Sequence, residues 1–586
     1  MYIYKNEFTG QNFLKNLDHP LAAKYLADIN TDCEEFRKAP IETLTFSKFK
    51  MFEKTGSRVE YEADYFKKRR RMSMFTLRAW LFKEEKDIKE LEDILWATCD
   101  EYTWASPAHI RGILMDESKV PEQVDLFAAE TGQAVAESIS LCSELLHPAV
   151  VRRCVNEVFK RVIEPFESGE TEKYRLGWEF TGGNWSAVCG GAVGIAALYL
   201  VENEERLKKI TDRAKAACNR FVGTCEDDGV CAEGITYWMY AMQYYVAFDE
   251  LLRMRLDESV VEDEEKFKRL AAFPSIVCLE KNVMISFSDC GIGILNLGVL
   301  SKLNECYGVG VPEQSYYRNA LIDCYRLSSA VRSIEWFNPE LLHEQSGRDD
   351  VFLPLGQWAV LHTGEVSVAV KGGYNDEPHN HNDIGSYMYI KDGLILADDF
   401  GCARYTHQYF AMETRYDFLN NGSHGHSVPI VNGCVQSYGR EYASDKFEKT
   451  NNGVRISFAG AYPSDAALKE LIRNLTLDEN GMEIRDSFAF RRYGNSVVER
   501  IVTKYDAQIT GERTVSFLKD GQIISTAELL SDGKIKLLDD SYIIHRTRLN
   551  YQSSDYRAAN GVQAVTIIEF ECSADTDKLE IAYRIK

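Results

Sequence analysis

Positive charge is scarce in this chain. Lysine and arginine number 68 against 90 aspartates and glutamates, a formal net charge of −22 over 586 residues. That balance argues against general nucleic-acid binding and against adhesion to an anionic membrane, both of which need basic surface. It leaves room for a local basic cleft and an anionic substrate. No stretch approaches the roughly 18 consecutive apolar residues of a spanning helix. The opening Met1-Tyr2-Ile3-Tyr4-Lys5-Asn6-Glu7-Phe8 has no basic start leading into an apolar core, so no secretory signal is expected. Fifteen cysteines are scattered with no Cys-x-x-Cys pair, several within apolar helical patterns (Cys142, Cys154, Cys189, Cys218). Reduced, buried thiols in a cytoplasmic protein are the economical reading.

What is present divides in two. The length is too great for one ordinary core, so two or three domains are expected. Residues 1–345 read as helical. Apolar residues recur at helical spacing over 124–145, 150–166, 188–207, 210–222 and 237–252. Such a series suggests a bundle, a solenoid or a toroid, and no short repeat marks a motif-defined solenoid. From residue 346 to 586 the apolar period becomes two. Strands are expected over 366–370, 387–390, 454–458, 482–490, 497–502, 514–518, 534–538, 565–570 and 579–585. Asp392-Gly393, Asn432-Gly433, Asp520-Gly521 and Asp532-Gly533 punctuate them as hairpin signals. The fold class is therefore multidomain α+β: helices first, then an antiparallel β-sandwich.

Five of the eleven histidines lie between His379 and His426. The densest group is His379-Asn380-His381-Asn382-Asp383. If extended, it turns His379, His381 and Asp383 to one face. Imidazoles and a carboxylate so close make a metal site, an acid/base site, or both. Asp399 and His426 can supply further ligands from neighbouring strands. Surface histidines in a polar loop are the plain alternative.

Three other clusters stand out. In Gly182-Gly183-Asn184-Trp185, the asparagine is either a helix N-cap or an amide aimed at a substrate carboxylate. Tyr237, Tyr240 and Tyr244 fall at i, i+3 and i+7 on one helical face, which is either core or a sugar-binding stripe. Trp104 and His109 sit in a loop among helices where they can shape a pocket wall. A basic run, Lys67-Lys68-Arg69-Arg70-Arg71, is either a solvated helix face or an aid to an anionic glycan.

In order along residues 90–440, these pieces resemble the heparinase II/III-like polysaccharide lyases, a group that includes alginate-oligosaccharide lyases. The match comprises Asn184-Trp185, Glu233-Gly234 with Tyr237-Trp238 and Tyr240, His379-x-His381-x-Asp383, Asp399-x-Gly401, and His426-Ser427-Val428 leading to Val431-Asn432-Gly433. One departure is that the family's last motif usually reads His-Asn-Thr-Val. The resemblance implies an (α/α) toroid followed by antiparallel sheets. It also implies β-elimination at C4 of a uronic acid. Asn184 would neutralise the carboxylate, Tyr240 or Tyr237 would act as base or acid, and His379 as its partner. A tyrosine acting as phenolate would need nearby positive charge to lower its proton affinity. Trp104, His109, Trp185, Tyr244, Arg404 and Tyr405 would contact substrate. His381, Asp399 and His426 would bind a structural Zn²⁺ that fixes the segment carrying His379.

The expected partner is a uronate-containing oligosaccharide, and homo-oligomerisation is left open. Two other activities compete. A uronyl C5-epimerase shares proton abstraction but returns the proton. A glycoside hydrolase on an (α/α) toroid needs two carboxylates across the bond, for which Glu179 and Glu233 are candidates.

Overall fold

A computed structural model describes residues 2–110, 117–169, 176–280, 283–290, 295–312, 326–341, 349–403, 405–539 and 565–586. Two compact units emerge. One comprises Met1–Cys225, Tyr237–Ala271 and Ile294–Glu344; the other comprises Glu226–Thr236, Ala272–Gly293 and Gln345–Lys586. Two stretches that precede residue 345 thus pack with the second unit.

The first unit is helical. Leu126–Cys142 is buried along nearly its whole length and packs against Gly183–Leu200. Gly183–Leu200 is long and apolar enough to cross a membrane, but 89% of it is buried inside the protein, which marks a core helix. Small residues allow its close packing. A Cβ on Gly191 would sit 2.8 Å from the Tyr244 carbonyl oxygen, in Ile235–Leu256. The pattern over 188–207 reads as one helix, yet Asn203 ends it by capping Glu204–Thr224, accepting from the Arg206 amide at 2.8 Å. Val59–Phe82, the longest helix described, buries Tyr61, Tyr65, Met72, Phe75, Leu77 and Trp80, and charged side chains interrupt that apolar face.

That charge is the basic run. Lys68, Arg69 and Arg71 are buried, not solvated. Arg69 makes a bidentate pair with Glu101 at 2.7 and 2.6 Å, and Lys68 reaches the same carboxylate at 2.8 Å. Arg70 pairs with Asp32, and Arg71 donates to the Ala39 and Pro40 carbonyls. Lys67 alone stays exposed, pairing with Glu42 at 3.1 Å; the rest of the run is engaged in internal contacts and does not form a solvated face.

The second unit is built from antiparallel sheets. A five-stranded sheet runs Val351–Leu353, Trp358–Thr363, Val366–Lys371, Tyr387–Lys391, Leu394–Ala397. An eight-stranded sheet centres on Leu468–Asp478, Gly481–Phe490, Lys578–Ile585 and Gln522–Leu529. A four-stranded sheet orders Lys534–Asp539, Thr566–Ala574, Asn495–Thr503 and Ile430–Val431. Alternate residues of Gly481–Phe490 are buried, as period-two patterning requires. One apolar core joins all three sheets, including Val368, Tyr387, Leu471, Ile484, Phe517, Ile568 and Tyr583. Asp392-Gly393 and Asp520-Gly521 have positive φ at both positions and close two-residue hairpins. Among the described cysteines no disulfide is formed.

The helical core also contains ionised groups. Glu137 is fully buried, accepting from Tyr199 Oη at 2.9 Å and Gln133 Nε2 at 2.6 Å, and pairing with Arg332. Glu250 accepts from the Trp336 indole and lies 3.4 Å from Arg332 Nε. Burial pushes the Glu250 carboxyl from its ordinary 4.5 up to about 7, against the pull of Arg332. Its folded state thus holds a proton that the unfolded chain releases near 4.5. The associated stability is present below about 4.5 and is lost as pH rises to about 7. Glu250→Gln keeps an acceptor for Trp336 but cannot ionise. Unfolding measured from pH 4 to 8 should show the variant gaining on the natural chain across that window, by at most about 3 kcal/mol. Parallel pH profiles would refute this assignment.

Candidate active site and metal centre

In the helical unit, Asn184 lies one residue inside Gly183–Leu200, whose N-cap is Gly182 at φ +77°. It is therefore not the cap, and its side chain is buried in the first turn. Trp185 is half-buried against the His109 ring, centroids 4.7 Å apart. His109 Nδ1 bonds Asp125 Oδ2 at 2.6 Å. Tyr237, Tyr240 and Tyr244 lie on one helix as expected, but their surroundings differ. Tyr244 is fully buried and donates to Glu130 Oε1 at 3.0 Å, so it braces the core and does not face substrate. Tyr240 is half-buried, with the Arg326 guanidinium 4.1 Å from its ring centroid. Arg326 also pairs with Glu130 at 2.9 Å.

Burial, reinforced by the Glu130 carboxylate, raises the Tyr240 phenol well above its ordinary 10 despite Arg326. The expected depression by positive charge is not met. Tyr240 is a neutral phenol around pH 7, equipped to give a proton. Trp104 also departs from expectation. It is fully buried, its indole donating to the Thr98 carbonyl at 3.0 Å, and belongs to the core instead of a pocket wall.

In the β unit, residues 379–383 do not form a strand. They lie in a loop between Tyr374–Asn375 and Tyr387–Lys391, with His379 in the left-handed region at φ +59°. The two imidazoles converge on one carboxylate that sequence reading missed, Asp289. His379 Nδ1 bonds its Oδ2 at 2.9 Å, and His381 Nε2 bonds its Oδ1 at 3.0 Å. Arg415 Nη2 also donates to Oδ2 at 3.0 Å, Asn421 Nδ2 to Oδ1 at 3.3 Å, and the Tyr409 hydroxyl to Oδ1. Burial alone would raise this carboxyl. Arg415 and the two histidines outweigh it and hold Asp289 well below the usual carboxylate range. One signal was available: Asp289 is the lone charge in 283–295, an otherwise apolar and small-residue stretch. His379 keeps 23% of its side chain exposed, whereas His381 is fully buried.

Beyond His381, a second convergence appears. His381, Asp383, Asp399 and His426 each bring one donor atom within 4.8 Å of the others, all buried. Asp383, which the resemblance leaves outside the Zn²⁺ ligand set, is one of the four. Its Oδ1 lies 2.9 Å from the buried Lys371 ammonium. His426 bonds the Asn420 carbonyl through Nε2 at 2.8 Å, while its Nδ1 faces Asp399 Oδ2 at 3.2 Å. Among the described residues, His381 Nδ1, His426 Nδ1 and Asp399 Oδ2 make no hydrogen bond despite deep burial. Buried acceptor atoms converging in this way suit a shared cation. Two imidazoles and two carboxylates suit a divalent ion such as zinc.

A buried ionic lattice braces the loops that carry these donors. Arg473 Nη1 donates to the Gly385 carbonyl at 2.7 Å and the Ser427 carbonyl at 2.9 Å. It therefore ties the 379–386 loop to the segment bearing His426. Its other nitrogens pair with Asp486 at 2.6 Å and Glu499 at 2.9 Å. Arg500 Nη1 holds the His424 carbonyl at 3.0 Å. Gly425 must lack a side chain, because a Cβ there would stand 2.1 Å from the Leu419 carbonyl oxygen.

Among the remaining expected contacts, the Tyr405 ring lies tilted against Tyr409, centroids 5.0 Å apart, beside the Asp289 cluster. Arg404 lies outside the described residues. Glu179, a candidate hydrolase carboxylate, is buried and bound bidentately by Arg213 at 3.0 and 2.8 Å.

Removing Arg473 leaves two buried carboxylates without their guanidinium and two loop carbonyls without a donor. Arg473→Met should cost about 3–5 kcal/mol, read as a large drop in melting temperature. A near-native melting temperature would mean that the lattice contributes little.

No protein-family model matches the sequence, and no curated protein matches it. Solved structures do match in fold. A heparinase III with methylated lysines aligns over 99% of this chain and 93% of its own, at 13% identity and a TM-score of 0.59. A heparan sulfate lyase HepC mutant from Pedobacter heparinus aligns over 100% and 92%, at 11% identity and 0.59. A chondroitin AC lyase mutant from Streptomyces coelicolor A3 aligns over 98% and 82%, at 9% identity and 0.51. From end to end, then, this chain has a heparinase-like polysaccharide lyase fold.

Proposed function

We propose that the protein is a carbon–oxygen lyase that cleaves uronate-containing oligosaccharides by β-elimination. The observation that carries this reading is the Asp289-centred arrangement, which holds a partly exposed imidazole, His379, beside a buried cluster suited to a metal. The shared fold with structures named as heparan sulfate and chondroitin lyases supports it. By the same resemblance we read the helical unit as an (α/α) toroid and the β unit as a sandwich.

The reaction removes the C5 proton of a uronate, leaving the electron pair delocalised onto the carboxylate. It then expels the C4 oxygen, which takes a proton, and leaves a C4–C5 double bond. Asn184 donates its amide to the uronate carboxylate and stabilises the charge as it develops. His379 accepts the C5 proton. Tyr240, kept protonated by burial and by Glu130, gives a proton to the leaving oxygen. Trp185 and Tyr405 have the aromatic faces that sugar rings pack against.

The cluster His381, Asp383, Asp399 and His426 would hold Zn²⁺. There the ion supplies positive charge that satisfies buried carboxylates and fixes the loop bearing His379. In this reading it is structural. The hydrolase alternative loses support from the engagement of Glu179 with Arg213.

Incubation with alginate, heparan, chondroitin, hyaluronan and pectin fragments should raise ultraviolet absorbance with at least one of them, as the new double bond forms. Absence of a rise with all five, together with an inverted C5 centre in the product, would replace the lyase by an epimerase. His379→Gln and Tyr240→Phe should each lower kcat by about 10²–10⁴-fold while remaining folded. Near-normal turnover in both would overturn the assigned roles.

Chelation should strip the metal and lower the melting temperature, and Zn²⁺ should restore it. His381→Ala and Asp399→Asn should reproduce the stripped state. Purified protein with no more than a trace of any divalent ion would remove the metal from this reading.

A further inference from the structure

The Asp289 carboxylate receives five donors. Tyr409, Asn421 and His381 point at Oδ1, while His379 and Arg415 point at Oδ2. An ionised carboxylate is acceptor-only. Arg415 and the Asn421 amide can only donate through the atoms they present. Each imidazole nitrogen facing Asp289 must therefore carry a hydrogen. The two rings meet the carboxylate through different nitrogens, Nδ1 for His379 and Nε2 for His381.

We propose that Asp289 is a positioning residue that fixes the two histidines in opposite tautomers. His379, with its hydrogen on Nδ1, has its basic lone pair on Nε2. His381, with its hydrogen on Nε2, has its lone pair on Nδ1, a buried atom without a hydrogen-bond partner among the described residues. One carboxylate thereby prepares both a base and a metal ligand. His426 reaches the ligand tautomer by an independent route, giving its Nε2 hydrogen to the Asn420 carbonyl.

The geometry also explains why one side chain serves both histidines. Asp289 is fully buried, and its backbone N–H donates to the His379 carbonyl at 3.1 Å. Side chain and main chain thus grip the same residue from two directions. The neighbouring Ser288, at φ +68°, donates its hydroxyl to the Ala232 carbonyl at 2.7 Å, which fixes the turn that aims the carboxylate. This inference deepens the proposed roles of His379 and His381 and rests on that reading for its catalytic consequence. The tautomers themselves follow from the hydrogen bonds alone.

The direct test is a long-range ¹H–¹⁵N correlation spectrum of protein labelled with [¹⁵N]histidine. Ring signals would be assigned with His379→Gln and His381→Gln. The expected result is a hydrogen on Nδ1 of His379 and on Nε2 of His381. Either ring in the other tautomer overturns the inference, whether or not the protein proves to be a lyase.

A second measurement tests the consequence. Asp289→Asn offers an oxygen to one set of donors and an NH₂ group to the other, so both tautomers cannot persist. Zn²⁺ affinity measured by chelator competition should fall about 10–100-fold, and kcat should fall with KM little changed. Phe517→Ala, a core change in the eight-stranded sheet, is the control for general loosening. Equal loss of Zn²⁺ affinity in both variants would reduce Asp289 to a packing role and overturn the proposal, as would native Zn²⁺ affinity in Asp289→Asn. If Asp289→Asn does not fold, the spectrum of the natural chain still decides. A natural chain with the expected tautomers but no lyase activity would sink the proposed function and leave this inference standing.

Discussion

A carboxylate removed from water must be met by donors on nearly every lone pair, and the β unit is organised around that demand at Asp289. Its five partners come from two segments, the 379–381 loop and residues 409–421. Only the short helices His407–Phe410 and Met412–Arg415 give these segments regular structure. Each is positioned because the carboxylate would otherwise be left unsatisfied in a low-dielectric interior, where that is expensive. The order of dependence therefore runs from Asp289 to the histidines, and from the histidines to any ion or substrate they hold.

The Arg473 lattice does the opposite task with the same physics. Here a buried guanidinium must be surrounded by acceptors, and it recruits two loop carbonyls as well as Asp486 and Glu499. The strands that carry Arg473, Asp486 and Glu499 are regular and well packed. Rigidity thus passes from sheet to loop through hydrogen bonds to main-chain oxygen, which are indifferent to the side chains of the loop. The ligand-bearing loops can differ in sequence while their backbone position is retained. In the helical unit, Glu130, Glu137, Arg326 and Arg332 form a comparable charged core.

The split between helix and sheet was legible because apolar period changes from helical spacing to two, and the strand expectations fell within a few residues of the observed elements. Hairpins at Asp392-Gly393 and Asp520-Gly521 were legible for a local reason: few residue pairs tolerate two successive positive φ angles. The helix Val59–Phe82 was harder, because its buried arginines mimic a solvated face. At the site, His381, Asp399 and His426 could be singled out by residue chemistry, and the structure draws them together with Asp383. Asp289 could not be paired with His379 from spacing, since 90 residues separate them. Trp104 was expected in a pocket wall and Tyr244 in either the core or a sugar-binding stripe; an aromatic ring with one polar atom satisfies a core equally well, and both are buried there. The extended form expected for 379–383 is not adopted: His379 takes a left-handed backbone in a loop, and both rings meet one carboxylate.

That left-handed residue has an energetic consequence. At φ +59°, a side chain with a Cβ incurs a backbone penalty of about 1–2 kcal/mol that glycine escapes. The Asp289 carboxylate on the ring and the Asp289 amide on the His379 carbonyl are the hydrogen bonds that offset it, so the loop's backbone and the orientation of its imidazole are set together.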